Sequence, residues 1–150
     1  MSMTSSTTSV DPIVEQKIQI PYSYVAGPAV GRFLTGLKDC VFYASECSQC
    51  GRKSVPPLSF CSRCWKPVQN FVVVGPSGVL ESFAAVPEGS NPGAVYALIR
   101  LKGASTSLPH FLELSAGQAA RIGAEVKPIW NENRVGSVRD IRYFRLVEAR

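Results

Sequence analysis

Cysteine spacing is the feature of this sequence with the clearest chemical meaning. Two Cys-x-x-Cys pairs, Cys47 with Cys50 and Cys61 with Cys64, are separated by a spacer of ten residues. In such pairs, two tight turns each present two thiolates to one tetrahedral metal ion, at about 2.3 Å. Four thiolates saturate the ion and leave no coordination position for a reactive water. The spacing therefore predicts a structural metal site rather than a catalytic one.

The metal itself is not decided by this pattern. Zinc is the usual occupant of a four-cysteine site, and iron in a rubredoxin-like site uses the same ligands. Four thiolates around a divalent ion leave a net negative charge on the site. Basic residues that lie nearby in the sequence offset this charge: Arg52, Lys53, Arg63 and Lys66.

The fifth cysteine, Cys40, lies in the segment Asp39-Cys40-Val41-Phe42-Tyr43 and is interpreted as a small buried residue of a strand. An odd number of cysteines, most of them at metal-ligand spacing, indicates thiols in a reducing cytosol rather than a disulfide framework. No apolar run approaches the ~20 residues needed to cross a bilayer, and no targeting peptide is evident. We therefore expect a cytoplasmic protein without a membrane span.

The elements around the cysteines divide the chain into four parts. Residues 1–12 are rich in serine and threonine and predict a flexible tail. Residues 13–45 predict an extended arm followed by a helix, residues 46–67 the metal ribbon, and residues 68–150 a β-domain. The net charge of +5 and the pI of about 9.1 favour an anionic partner without identifying it.

The arm and the helix carry apolar side chains that need a surface to lie against. Tyr22 and Tyr24 belong to an extended, proline-bounded segment. Apolar residues then recur at helical spacing over residues 28–38, which places Phe33 and Leu37 on one face. That face packs on the chain's own domain or docks on a partner subunit. Periodicity alone leaves both interpretations open.

Beyond residue 67, short apolar runs alternate with turn residues, and a small helical turn is predicted over residues 115–120. This pattern is typical of a compact five-stranded Greek-key barrel, and a small β-sandwich is the alternative fold. The predicted fold is therefore mainly β with a short N-terminal helix, in which a rubredoxin-like ribbon with four cysteine ligands precedes an OB-fold barrel. The predicted strands cover residues 68–74, 79–86, 95–102, 111–114, 125–130 and 140–147.

Candidate catalytic groups are scarce. His110 is the only histidine, the glutamates are scattered singly, and no nucleophile stands beside a base. A phosphate-binding glycine loop is also lacking. These observations argue against an enzyme that acts alone, including a free-standing hydrolase or thioesterase.

Several motifs together resemble one protein family across nearly the whole chain. They are Pro21-Tyr22 with Gly27 and Gly31-Arg32-Phe33-Leu34-Thr35-Gly36-Leu37, the pair Cys47 and Cys50 with Gly51, Val55-Pro56-Pro57, the pair Cys61 and Cys64, Gly78-Val79-Leu80-Glu81-Ser82, Ala97-Leu98-Ile99-Arg100-Leu101 and Ile122-Gly123-Ala124-Glu125-Val126. The family comprises bacterial and archaeal OB-fold proteins with an N-terminal rubredoxin-like zinc ribbon, associated with acyl-CoA and long classed as of unknown function. Two positions depart from its pattern: Leu58 stands where arginine is frequent, and Trp65 where glycine is usual.

The resemblance implies a noncatalytic partner of a thiolase or of a related ketosynthase-fold acyltransferase, in some cases of an aldolase. The partner would supply the catalytic cysteine, and this chain would shape or carry the acyl-CoA. Such a thiolase could be degradative, as in benzoylsuccinyl-CoA cleavage, or biosynthetic. On this view Tyr22, Tyr24, Phe33 and Leu37 form the docking surface. Arg52, Lys53, Arg63 and Lys66 then meet the phosphates of CoA, which the two subunits share.

The alternative function is binding of single-stranded nucleic acid. Zinc ribbons and OB barrels both serve that purpose, and the basic charge fits it. Only one segment interleaves arginines with aromatic residues, namely Arg139-Asp140-Ile141-Arg142-Tyr143-Phe144-Arg145. A single such cluster is more typical of a solvated strand face than of a nucleic-acid interface.

Overall fold

The structure is a computed structural model that describes residues 17–85, 94–115 and 117–147. The predicted tail, the first residues of the predicted arm and the turn residues between the predicted strands at 79–86 and 95–102 lie outside these ranges. Among the described residues, no helix is long and apolar enough to cross a membrane.

Helix α1 spans Gly27–Lys38 and confirms the helix predicted from the apolar spacing. It ends in a Schellman motif, in which the N–H of Val41 donates to the carbonyl of Gly36 and that of Cys40 to the carbonyl of Leu37. Cys40 takes the left-handed conformation that this motif requires, with φ of +60°. The strand interpretation of Cys40 is therefore wrong, because the residue belongs to the turn that ends the helix.

Gly36 allows this helix to approach the strand that follows it. A Cβ atom added at Gly36 would lie 2.6 Å from the ring of Tyr43 and 2.7 Å from the carbonyl oxygen of Val41. Both distances are shorter than van der Waals contact. The glycine therefore sets the spacing between the helix and the first sheet.

The first sheet has three antiparallel strands in the order β2-β1-β3: β1 is Phe42–Glu46, β2 is Lys53–Ser54 and β3 is Asn70–Val74. The predicted boundary at residue 68 placed β3 in the barrel domain. The structure instead pairs it with β1 over five residue pairs, from Phe42 with Val74 to Glu46 with Asn70. The metal ribbon is thus held between two strands of one sheet.

The remaining strands close into a five-stranded, OB-like barrel in the order β4-β5-β6-β8-β7. All neighbours are antiparallel except β6 and β8, which run parallel. Each strand overlaps one of those predicted from the apolar runs. Their bounds are Gly78–Ala85 for β4, Ala94–Leu101 for β5, Leu108–Glu113 for β6, Glu125–Trp130 for β7 and Ile141–Leu146 for β8.

The segment predicted as a helical turn before β7 is not helical in its described part. The N–H of Gln118 donates to the carbonyl of Ser115, and the Gln118 side chain accepts from the N–H of Ser115. This reciprocal pair closes a single turn, and residues 117–120 do not continue it as a helix.

One hydrophobic core joins the helix, the first sheet and the barrel. Phe33 and Leu37 of α1 are 2% and 0% exposed and belong to the same buried cluster as the interior residues of the barrel. Phe42 of β1 lies against barrel residues, with its ring centroid 5.1 Å from that of Trp130 and 6.3 Å from that of Phe144. The internal interpretation of the helix face is therefore the correct one.

Hydrogen bonds attach the ribbon spacer to the loop between β5 and β6. The hydroxyl of Thr106 accepts from the N–H of Val55 at 2.7 Å and donates to its carbonyl at 3.0 Å. Ser105 also pairs with Lys53: its hydroxyl accepts from the Lys53 N–H at 3.0 Å, and its own N–H donates to the Lys53 carbonyl at 2.7 Å. These bonds give backbone groups of Lys53, on β2, and of Val55, in the irregular spacer, a partner outside the first sheet.

Asp140 organises the loop between β7 and β8. Its side chain is 2% exposed, and its carboxylate accepts from the N–H groups of Val135, Gly136 and Ser137 at 3.1, 2.8 and 3.1 Å. The loop also reaches the helix, because Arg134 donates to the carbonyl of Lys38 at 2.8 Å. A short 3₁₀ helix, Val138–Asp140, follows with Ser137 as its N-cap.

Asp140→Asn should therefore destabilise the chain by about 2 kcal/mol at pH 7, because an amide replaces a charged acceptor of three hydrogen bonds. Burial opposes ionisation, but the three N–H donors outweigh it and lower the pKa of Asp140. The contribution of this carboxylate is therefore complete above the ordinary aspartate pKa and is lost as the pH falls through the lowered one. Urea unfolding at pH 7 and in acid measures the difference. If Asp140→Asn lowered the free energy of unfolding by the same amount in acid as at pH 7, the prediction would be contradicted.

Candidate metal centre and docking surfaces

The structure brings the four cysteines of the two pairs into one cluster. All four Sγ atoms lie within 4.8 Å of one another, and no metal-capable cluster of three or more such residues other than this one occurs among the described residues. The Sγ atoms of Cys47 and Cys64, and of Cys50 and Cys61, are 3.5 Å apart, and those of Cys64 and Cys50 are 4.0 Å apart. A tetrahedron with metal–sulfur bonds of ~2.3 Å has edges of about 3.8 Å. The cluster therefore fits a metal ion and is too open for disulfides.

The two knuckles have the same backbone hydrogen bonds. In the first, the N–H of Gly51 donates to the carbonyl of Cys47, and the N–H of Cys47 to the carbonyl of Arg52. In the second, Trp65 donates to Cys61, and Cys61 to Lys66. Gly51 and Trp65 are therefore equivalent positions, and both are left-handed, with φ of +67° and +59°. The tryptophan takes the conformation that the glycine adopts without strain.

Trp65→Gly should consequently stabilise the metal-loaded protein. A left-handed conformation costs a residue with a Cβ about 1–2 kcal/mol, and the greater freedom of glycine in the unfolded chain offsets about 0.5–1 kcal/mol of this. Little burial is lost, since Trp65 is 78% exposed. We expect a net gain of about 0.5–1 kcal/mol in urea unfolding. The matched variant Gly51→Ala should lose stability, and a loss in both variants would contradict the explanation.

The surroundings of the thiols favour metal binding. The N–H groups of Arg63 and Cys64 lower the pKa of Cys61 to about 6. The N–H of Lys66 favours the thiolate of Cys64, but the neighbouring sulfur of Cys47 and burial outweigh it and raise the pKa of Cys64 to about 12. Four adjacent thiols cannot all ionise without compensation. A divalent cation supplies it, so that metal binding and loss of the remaining protons occur together.

The basic residues of the ribbon differ in their surroundings. Arg63 and Lys66 are exposed beside the second knuckle. Lys53 forms an ion pair with Glu46 at 3.2 Å, and Arg52 is half-buried. The second knuckle therefore presents freely accessible positive charge, whereas Lys53 is already engaged with an acidic neighbour.

The arm before α1 is the most exposed apolar segment of the described chain. Tyr22 and Tyr24 are 81% and 68% exposed. Three further large apolar side chains of the same segment are also exposed: Ile18, Ile20 and Val25. Five such residues within eight positions are unusual for a surface without a function, since contiguous exposed apolar patches mark interaction sites.

Phe33 and Leu37, predicted to share a docking surface with the tyrosines, are not accessible. Both lie in the chain's own core, as described above, so that part of the docking prediction is corrected. Sequence reasoning missed a different apolar group on the ribbon: Leu58, Phe60 and Trp65 are all exposed. Trp65 was identifiable as an unusual residue at a glycine position, but nothing in the sequence indicated that the three lie on the surface.

Comparison with known proteins shows similarity to solved structures only. No family model matches the sequence, and no curated protein is significantly similar to it. A crystal structure of a DUF35-family protein of unknown function from Sulfolobus solfataricus is 27% identical, with a TM-score of 0.60, over 80% of this chain and 84% of that one.

A second similar structure is described as the Ltp2-ChsH2(DUF35) aldolase. It is 21% identical, with a TM-score of 0.57, over 77% of this chain and 91% of that one. At this identity it shows the fold alone. The structural neighbours are thus DUF35 proteins, and the four-cysteine cluster and the barrel of this chain are consistent with a zinc ribbon joined to an OB-like domain.

Proposed function

We propose that this chain is a noncatalytic, zinc-binding subunit of a thiolase-type acyltransferase complex. The exposed apolar arm carries this proposal. An extended segment with five large apolar side chains in solvent, immediately before a helix whose own apolar face is buried, suits an element that a second protein covers. The subunit would work in the reducing cytosol, where thiolates remain available to the metal.

The ribbon adds a second contact region to the arm. Trp65, Phe60 and Leu58 are exposed on it, and the backbone strain at Trp65 is of the kind that proteins retain at functional sites. Arg63 and Lys66 beside them are proposed to meet the phosphates of a CoA thioester held between the subunits, with Arg52 and Lys53 at the edge of that contact. The metal is structural in this proposal, because its four ligands leave no open position.

One similar structure supports a role in an enzyme assembly. This structure, the Ltp2-ChsH2(DUF35) aldolase, joins a DUF35 protein and a second protein in one aldolase. By analogy we assign the catalytic residues of the present complex to its partner, a thiolase or another ketosynthase-fold enzyme. The acyl group is that of a degradative substrate, such as an aromatic benzoylsuccinyl-CoA, or that of a biosynthetic one.

Co-expression with the thiolase encoded nearest to this gene tests the proposal. We expect one peak in size-exclusion chromatography that contains both chains, and acyl-CoA cleavage only when both are present. A mixture that elutes as separate proteins, with full thiolase activity from the partner alone, would overturn the proposal. Turnover of an acyl-CoA by the purified chain without any partner would also overturn it.

Binding of single-stranded nucleic acid is the second candidate, and one structural observation favours it. Phe83, Tyr96 and Arg142 line one groove of the barrel, although they come from three different strands. Stacked bases and an arginine-bound phosphate suit such a surface. Binding of a 12-nucleotide oligo(dT) that weakens steeply with salt would support this function, whereas no binding at low salt would exclude it.

A further inference from the structure

A groove of about 880 Å³ crosses β4, β5 and β6 of the barrel. Its far edge is formed by the loop between β7 and β8, through Asn131, Val138 and Arg139, and by the start of β8. This volume is within the range of about 300–1,000 Å³ that is typical of small-molecule sites. Pro56 of the ribbon spacer also lines the groove, but none of the metal ligands and no residue of the arm does. The groove is therefore separate from the arm and the metal cluster that the proposed thiolase complex uses, and it is the surface that the nucleic-acid alternative would use.

The wall of the groove is apolar where solvated strands are usually polar. Phe83, Tyr96 and Leu98 point outward, with exposures of 42%, 50% and 43%. Tyr96 packs beside Phe111 on the next strand, with the ring centroids 5.0 Å apart. An antiparallel sheet with one solvated face normally alternates apolar inward with polar outward residues. The outward apolar residues therefore form a surface suited to an apolar ligand.

The charge at the groove is positive. Arg139 and Arg142 line it and are exposed, and neither forms an ion pair with a described acidic residue. Among the described residues that line the groove, none is acidic. The Asp140 carboxylate between these two arginines in sequence is buried and directed at the backbone of its own loop, so it does not neutralise them.

His110 places a polar side chain in the same wall. Its Nδ1 is buried and has no hydrogen-bond partner among the described residues. Burial lowers the pKa of His110 below its ordinary value, although the backbone groups of Phe111 and Val138 oppose this. The ring is therefore neutral at pH 7, and the positive charge of the groove comes from the two arginines.

We infer that this groove binds a small apolar anion, that is, an aryl or alkyl carboxylate whose body lies on Phe83, Tyr96 and Leu98 and whose carboxylate meets Arg139 and Arg142. A single nucleic-acid strand carries a phosphate at every nucleotide and needs a track of cations. Two arginines at one edge of an otherwise apolar groove match one anionic end instead. The inference concerns the barrel of this chain alone and does not depend on the proposed partner.

The test uses the zinc-loaded full chain and two probes of matched shape, 4-phenylbutyrate and the uncharged 4-phenylbutanol. Amide chemical-shift changes are followed by two-dimensional NMR during titration. We expect both probes to shift residues of β4, β5 and β6, and the carboxylate to bind about three- to fivefold more tightly, as an accessible ion pair allows. In the double variant Arg139→Gln/Arg142→Gln the two affinities should become equal. Arg121→Gln, at an exposed arginine outside the groove, should preserve the difference.

A second variant tests the apolar wall. Leu98→Glu replaces an apolar side chain of the wall with a negative charge, at a partly exposed position that should tolerate it. Binding of the negatively charged 4-phenylbutyrate should weaken at least tenfold while the fold is retained. Equal affinity for acid and alcohol in the unmodified chain would overturn the inference. It would also be overturned if 10 mM probe produced no shifts in the groove, or if oligo(dT) displaced the carboxylate and bound more tightly. None of these results bears on co-elution with a thiolase, so the two proposals fail separately.

Discussion

Cys61→Ser should abolish stoichiometric metal binding and, with it, assembly of the proposed complex. The two knuckles have little else to hold them together, since their buried cluster consists of Val68 and the cysteines themselves. Structural zinc in comparable small modules contributes an apparent binding free energy of about 10–16 kcal/mol at neutral pH. Without it we expect the two knuckles to unfold, while the core that α1, the first sheet and the barrel share stays folded.

Metal analysis, amide hydrogen exchange and size-exclusion chromatography with the partner measure this result. Metal analysis and colour also distinguish zinc from iron, because an iron–thiolate site is red. The fifth cysteine provides the control: Cys40→Ser lies outside the cluster, in the turn after α1, and should keep one metal ion and full assembly. A Cys61→Ser protein that lacks metal but still assembles with full activity would show that the ribbon does not support docking.

Tyr22→Ala combined with Tyr24→Ala should weaken partner binding by at least about 2 kcal/mol, or roughly 30-fold, if these side chains are buried as aromatic anchors of the interface. The stability of the isolated chain should stay the same, because both rings are largely in solvent. Isothermal titration with the partner and thermal unfolding of the free subunit give the two quantities.

Two further variants make this result specific. Ile122→Ala removes a barrel-domain side chain of similar exposure, 71%, and should leave the affinity unchanged. Phe33→Ala should instead destabilise the free chain by about 3–5 kcal/mol, because it opens a cavity in the core. If Tyr22→Ala/Tyr24→Ala leaves the affinity unchanged, the arm does not dock and the central observation behind the proposed function is lost.

Local patterns were sufficient for much of this fold. The spacing of Cys47, Cys50, Cys61 and Cys64 predicted the cluster, because each knuckle is a short-range structure and the closed site follows from two of them. The apolar runs predicted the barrel strands, and helical spacing predicted α1. In each case the determining residues lie within a few positions of one another.

The features that the sequence did not reveal depend on distant pairing. The run at residues 68–74 is a recognisable strand, but nothing in it specifies β1 as its partner rather than the barrel. Thr106 and Ser105 are ordinary loop residues until the fold places them against Val55 and Lys53. The groove is assembled from side chains on four strands and the loop between β7 and β8, so its combination of apolar wall and positive edge cannot be read from any one segment.

The position of β3 also determines where this chain could be recombined with a distant relative. A crossover between residues 67 and 68 would join β1 of one parent to β3 of the other, and the five residue pairs between them would no longer be matched. Residues 75–77, where the chain leaves this sheet for β4, interrupt no strand. A chimera should therefore exchange the metal ribbon together with both strands that enclose it. The junction between the two parents belongs after β3 rather than after the last cysteine.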